Sequence, residues 1–184
     1  SVGWIVGWES GSIIKTTNGG ETWNVQLLDS SSYFMSVFFT DKNNGWIAFD
    51  KGILYTTNGG ITWNTPTSGQ TTYLYSITFT DSNTGWAVGP NIILKSTDGG
   101  NNWWSQLTGI SVFNSIFCIN SDTVWVVGGN GTILHTTNGG VSWQPNTKAT
   151  TDWFNSITFT SNLTGWITGW HGTILKTTNG GLDW

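Results

Sequence analysis

TTNGGETW (16–23), TTNGGITW (56–63), STDGGNNW (96–103), TTNGGVSW (136–143) and TTNGGLDW (177–184) are five versions of one octapeptide. They end on Trp23, Trp63, Trp103, Trp143 and Trp184, at spacings of 40, 40, 40 and 41 residues. A fixed period of this length is the mark of a repeat architecture. Asn-Gly between two strands is a strong hairpin signal, because the turn needs positive φ, which Asn and Gly tolerate. The side chains of Asn18, Asn58, Asp98, Asn138 and Asn179 can also bond the amides of their own turn. The Trp that follows folds its large apolar surface back onto the repeat. Five carboxamide or carboxylate groups in the same turn serve structure, not catalysis.

Working outward, each period carries the same short strands. Strand A reads SVFFT (36–40), SITFT (76–80), SIFCI (115–119) and SITFT (156–160). Strand B starts at Trp4, Trp46, Trp86, Trp125 and Trp166, and strand C is the run at 13–15, 53–55, 93–95, 133–135 and 174–176. Strand D is expected to begin at the Trp of the octapeptide. Four short strands per 40 residues, joined by Gly/Asn turns, predict antiparallel blades that stack radially, a β-propeller. The chain reads as one all-β propeller domain over 1–184, with about five four-stranded blades and the octapeptide turn between strands C and D. Repeats are expected to end near Leu28, Ser68, Thr108, Lys148 and Trp184. The first repeat lacks strand A and the last stops at Trp184. This suits a five-blade ring or an arc of a larger propeller, and predicts either further sequence or association through the unfinished edges.

Composition narrows the function. Charged residues are 9% of the chain, Gly 25 and Trp 14 residues, and the six basic residues are all Lys. With a net charge of −4, the basic stripe of a nucleic-acid binder is missing. No apolar run approaches the length of a spanning helix, so membrane insertion is not expected. The lone Cys118 occupies the slot of Phe39, Phe79 and Phe159 and reads as core. Neither His135 nor His171 has metal-ligand spacing, and no metal or cofactor is expected.

The octapeptide pattern S/T-x-D/N-x-G-x-x-W resembles the BNR/Asp-box repeat. The fuller string GWITGWHGTILKTTNGGLDW (165–184) is similar to the photosystem II stability/assembly factor-like propellers. The resemblance covers essentially the whole chain and implies a propeller fold. In that family an arginine-rich surface meets the photosystem partner, whereas this chain has no Arg. Many box-repeat arrays are extracytoplasmic, which implies an extracellular or cell-surface location, with periplasm or lumen as variants. Sialidases of this repeat class grip their substrate with an arginine cluster, so sialidase chemistry is excluded here.

Strand order places the B–C and D–A connections on the face away from the boxes. Trp8 and Trp170 are equivalent residues at the end of strand B; Tyr33, Tyr73 and Trp153 are equivalent residues leading into strand A. In a closed five-blade ring Trp8 and Trp170 would be neighbours, flanked by Glu9 and His171. Aromatic platforms of this kind suit a protein partner or a sugar ring. The acids of that face, Glu9, Asp29, Asp50 and Asp152, are scattered over different loops and show no pairing motif for glycoside hydrolysis. The expected function is a non-catalytic, extracytoplasmic scaffold that engages a protein partner or self-assembles, with a lectin-like glycan binder as the alternative and a glycosidase the weaker one.

Overall fold

A computed structural model describes residues 1–8, 11–67, 71–146 and 150–184. Glu9 and the repeat ends at Ser68 and Lys148 lie outside the described residues. Among those described, regular structure is β-strand and one 3-10 turn, as expected. The chain forms two compact units, residues 1–85 with 96–103, and residues 86–95 with 104–184.

The first unit contains the sheet β1 (Gly3–Val6), β2 (Ser12–Thr16), β3 (Asn24–Leu28), and the sheet β4 (Phe34–Phe39), β5 (Gly45–Phe49), β6 (Gly52–Thr56), with β7 (Ser76–Phe79) beside them. The second contains β8 (Gly85–Ser96), β9 (Trp104–Cys118), β10 (Val124–Gly128), β11 (Ile133–Thr136) and β12 (Gln144–Pro145) in that order. Its other sheet is β13 (Phe154–Phe159), β14 (Gly165–Gly169), β15 (Ile174–Thr177). Neighbouring strands run antiparallel, for example with Trp46 opposite Tyr55 and Trp166 opposite Lys176. The B strands β5 and β10 are buried throughout, because sheets lie against both of their faces.

Two sequence expectations need correcting. Strand D starts one residue after the box Trp, at Asn24 and Trp104, and in two repeats it barely forms. Among the described residues the second repeat keeps only the bridge Tyr55–Asn64, and the fourth only Gln144–Pro145. Pro66 and Pro145 explain this, since proline has no N–H to extend a ladder. The box is also not an Asn-Gly hairpin. Positive φ falls on both glycines (81° and 96° at Gly19 and Gly20, 65° and 89° at Gly139 and Gly140), leaving the Asn free to cap.

That cap is a closed local network. Thr16 Oγ1 accepts the Gly20 N–H (3.0 Å) and donates to Asn18 Oδ1 (2.8 Å), which also accepts the Thr22 N–H (3.0 Å). The same three bonds recur around Asn58, Asp98, Asn138 and Asn179. The hydroxyl residue is buried in every box, so its side chain replaces water for two turn groups.

Within each unit, one repeat is seated on the next through its strand-B Trp. A Cβ on the second box glycine would meet the preceding repeat's indole: Gly60 meets Trp4 at 3.4 Å, Gly100 meets Trp46 at 2.4 Å, Gly140 meets Trp86 at 2.6 Å and Gly181 meets Trp125 at 2.3 Å. An N–H of the preceding repeat then bonds a box glycine carbonyl. Lys15 Nζ donates to Gly59 (2.7 Å), Lys95 Nζ to Gly139 (2.6 Å), Asn146 Nδ2 to Gly181 (2.6 Å) and Trp46 Nε1 to Gly99 (3.0 Å). Trp46 takes the bond itself because Tyr55 fills the Lys slot. Where Lys15 or Lys95 has claimed the carbonyl, the ammonium sits over the indole at 5.2 or 4.9 Å, a cation–π contact. His135 replaces Lys by stacking on Trp125, ring centroids 4.5 Å apart, and burial holds its pKa down.

The aromatic at the end of strand A completes each seat. Phe39 stacks on Trp4 at 3.5 Å and meets Trp63 edge-on; Phe79 does the same with Trp46 at 3.6 Å and Trp103. These rings need Gly45, Gly85 and Gly165 beneath them, where a Cβ would lie 2.3–2.8 Å from Phe39, Phe79 or Phe159. In the fourth repeat Cys118 replaces the Phe, and Val124 replaces the Gly opposite it. Burial pushes the Cys118 thiol pKa up, as befits a core residue rather than a nucleophile. Trp86 meets Trp143 edge-on at 5.8 Å, the same contact that Trp125 makes with Trp184 beside Phe159. The two positions exchange volume, so Cys118→Phe alone should cost about 1–3 kcal/mol by overpacking against Val124. Adding Val124→Gly should recover part of that loss, with a coupling of about 1 kcal/mol in a urea-denaturation double-mutant cycle. Simple additivity would show that the slots are independent.

Candidate functional site

Four of the five aromatic residues expected on the face away from the boxes form two pairs, one within each unit. In the second unit the β14–β15 connection is the 3-10 turn Trp170–Gly172, with His171 in the left-handed region at φ 55°. The turn has to be tight, because the two strands stay paired as far as Thr168 and Ile174, leaving only residues 169–173 to reverse the chain. It throws Trp170 outward, 53% exposed, and its ring stacks on Trp153 at 5.6 Å and 23°. The backbone fixes this pair, since the Trp170 N–H donates to the Trp153 carbonyl (2.9 Å). Gly129 gives Trp153 its room, as a Cβ there would lie 3.3 Å from the indole.

Beside the pair, Asp152 accepts from Thr173 Oγ1 and bonds His171 Nδ1 at 3.1 Å. The Thr173 hydroxyl, then His171, hold its carboxyl pKa below the usual range. Asp152 therefore stays ionised at neutral pH and orients the turn that presents Trp170.

In the first unit Trp8 and Tyr33, 58% and 44% exposed, face each other with centroids 6.1 Å apart. Asp50 secures Tyr33 by accepting its N–H (2.9 Å), and Tyr33 O accepts the Asp50 N–H (3.1 Å). Lys51 Nζ donates to Ser31 O (2.7 Å) and to Ser32 Oγ (3.0 Å). Asp29 accepts from the Ser31 and Ser32 hydroxyls (2.6 Å each), which with other contacts hold its pKa at about 2. A cavity of about 350 Å³ opens next to this loop, lined among others by Asp29, Lys51, Phe34 and Trp63. Tyr73 does not join Trp8 and Tyr33; it packs edge-on against Tyr75 at 5.4 Å.

Sequence reasoning missed the residues that hold these aromatics in place. Asp50, Lys51, Ser31, Ser32 and Thr173 look like ordinary loop residues in the sequence, and only their bonds across the loops reveal the role. A general acid needs a raised pKa. Asp29 and Asp152 are shifted the other way by hydrogen bonds. Among the described residues no cluster of His, Cys, Asp and Glu suits a metal ion.

Short antiparallel strands in box repeats, each seated on the next, define a propeller-type repeat fold. Solved structures agree on the fold. A YCF48 structure bound to a D1 peptide is 19% identical, covering 97% of this chain and 90% of that one, with TM-score 0.50. YCF48 from Cyanidioschyzon merolae is 18% identical over all of this chain and 65% of that one, with TM-score 0.73. The GH74 enzyme of Niastella koreensis is 16% identical over 96% of this chain, TM-score 0.76, but the chain spans only 34% of it. Among curated proteins no sequence matches. The model of the photosynthesis system II assembly factor YCF48 family matches residues 24–110, 66–145 and 104–184. The chain belongs to that family.

Proposed function

We propose that this chain is a non-catalytic propeller that binds a segment of another protein through its aromatic face, with the Trp153–Trp170 platform as the anchor. The observation that carries this reading is the stacked, half-exposed indole pair, held by the Trp170–Trp153 backbone bond and the Asp152–His171–Thr173 contacts. Rigid aromatic anchors concentrate binding energy because little side-chain entropy is lost on contact. Family membership supports a protein partner, and a relative has been solved with a D1 peptide. The partner surface differs from an arginine-rich one: with net charge −4, this chain favours a neutral or basic peptide. An extracytoplasmic location belongs to the same reading and rests on the family resemblance alone.

The stacked indoles also favour a second reading, a glycan platform, since sugar rings dock on exposed aromatic faces. Titration of intrinsic Trp fluorescence with the D1 peptide, its scrambled control and a soluble oligosaccharide panel separates the two. A response to the peptide that weakens about tenfold or more in Trp170→Ala supports the protein-binding reading. A response to sugar alone replaces it with the glycan reading. No response to either removes the platform from both.

A further inference from the structure

Within the second unit, the fourth repeat meets the fifth through a histidine where the other repeats have lysine or tyrosine. His135 fills the slot of Lys15, Tyr55, Lys95 and Lys176, and its ring stacks on Trp125 at 4.5 Å and 16°. Trp125 is the indole on which the fifth box rests. A Cβ at Gly181 would stand 2.3 Å from it, and Trp184 meets it edge-on at 5.8 Å. Lys15 and Lys95 hold a charge over an indole while each ammonium bonds a box glycine carbonyl, Gly59 O or Gly139 O. His135 has no such outlet. The carbonyl bonded across this seat is that of Gly181, and Asn146 Nδ2 holds it at 2.6 Å. His135 Nδ1 is sealed from solvent and has no hydrogen-bond partner among the described residues.

We propose that His135 makes this seat acid-sensitive: a proton added at Nδ1 finds no acceptor, and the fifth box loosens from Trp125 as the ring leaves its stack. A buried N–H without a partner bears its full desolvation cost, more so when charged. Attraction between the imidazolium and the indole offsets only part of that. The ionisable groups of the packed elements are engaged elsewhere. Lys95 bonds Gly139 O, Asp122 lies beside Gly139, and Lys176 lies over Trp166. Asp152 bonds His171 and Thr173, and Asp183 accepts from Asn179. Lys148 lies outside the described residues. Burial holds the His135 pKa down, and a bond to the Gln144 backbone opposes this only in part. The folded value therefore lies below the unfolded one. The neutral ring stabilises the fold above the unfolded value, and that contribution is lost as pH falls through the folded one. The fifth repeat also carries Trp153 and Trp170, so acid should weaken peptide binding there. That consequence rests on the function proposed above; the seat does not.

Three measurements without any ligand test it. Proton NMR of the ring in the unaltered protein should show His135 titrating below the ordinary histidine value. Urea denaturation at pH about 7.5 and about 5.5 should then compare the unaltered protein with His135→Tyr, the residue that Tyr55 places in this slot. His171 is common to both, so the difference isolates His135. Acidification should lower the folding equilibrium constant about fivefold more in the unaltered protein. Amide exchange locates the effect. The Gly181 N–H, bonded to Thr177 Oγ1 at 2.9 Å, should lose protection in acid relative to the Gly140 N–H, bonded to Thr136 Oγ1 at 3.0 Å. A His135 that titrates at or above the ordinary value overturns the proposal. So does an acid response unchanged in His135→Tyr, or equal loss of protection at the two glycines. Should His135→Tyr not fold, the titration and the exchange on the unaltered protein still decide.

Discussion

Gly100→Ala is expected to destabilise the protein by about 3 kcal/mol, combining the cost of a left-handed alanine with overpacking of a buried indole. Gly100 has φ 84°, and its Cβ would stand 2.4 Å from Trp46 Nε1 and 2.9 Å from its Cδ1. Trp46 cannot retreat easily. It is 3% exposed, stacked on Phe79 at 3.6 Å, and bonded through Nε1 to Gly99 O at 3.0 Å. Gly109→Ala supplies the control. That residue has φ 81°, yet nothing lies within 4 Å of the added carbon. Gly109→Ala should therefore show only the backbone part, about 1–2 kcal/mol. Urea denaturation of both variants isolates the indole contact as the difference. Equal losses would mean that the box glycines serve turn geometry alone and that the seat contributes nothing.

The distinction also explains how much of the molecule is legible in the sequence. The Asn18, Asn58, Asp98, Asn138 and Asn179 caps can be read directly, because a short side chain bonding its own turn is local chemistry. The period and strand order are legible for the same reason. Strand D is shorter than the repeat suggests, because the effect of Pro66 and Pro145 on a ladder has to be weighed against a regular pattern. The seat is hidden, although its signal is present: Phe39, Phe79 and Phe159 are each paired with a glycine six residues on, while Cys118 is paired with Val124. Reading that exchange requires knowing that the two positions face each other across the β-ladder. Of the candidate site, Trp153, Trp170 and His171 are brought together, as are Trp8 and Tyr33, whereas the bonds that orient them run between loops. No periodicity encodes such bonds, which is why Asp50 and Thr173 carry no mark in the sequence.

The repeat-equivalent Trp86 and Trp166 should respond very differently to the same substitution. Trp86 is fully buried, carries Lys95 at 4.9 Å on one side and receives Gly140 and Trp143 on the other. Removing it leaves a cavity in a cluster with Val88, Phe113 and Val126, so Trp86→Ala should lose about 3–5 kcal/mol. A typical domain is held folded by only about 5–15 kcal/mol, so that loss is a large part of the whole. Trp166 is only partly buried and carries Lys176, but no box glycine of its own unit rests on it. Trp166→Ala should cost much less, about 1–2 kcal/mol for the apolar area it still covers. Urea denaturation of both variants measures the two losses under the same conditions. Near-equal values would contradict the claim that an indole acquires its full stabilising effect only when the next repeat's glycine turn closes over it. A large gap would show that each repeat is finished by its neighbour, with the Trp serving as the shared surface.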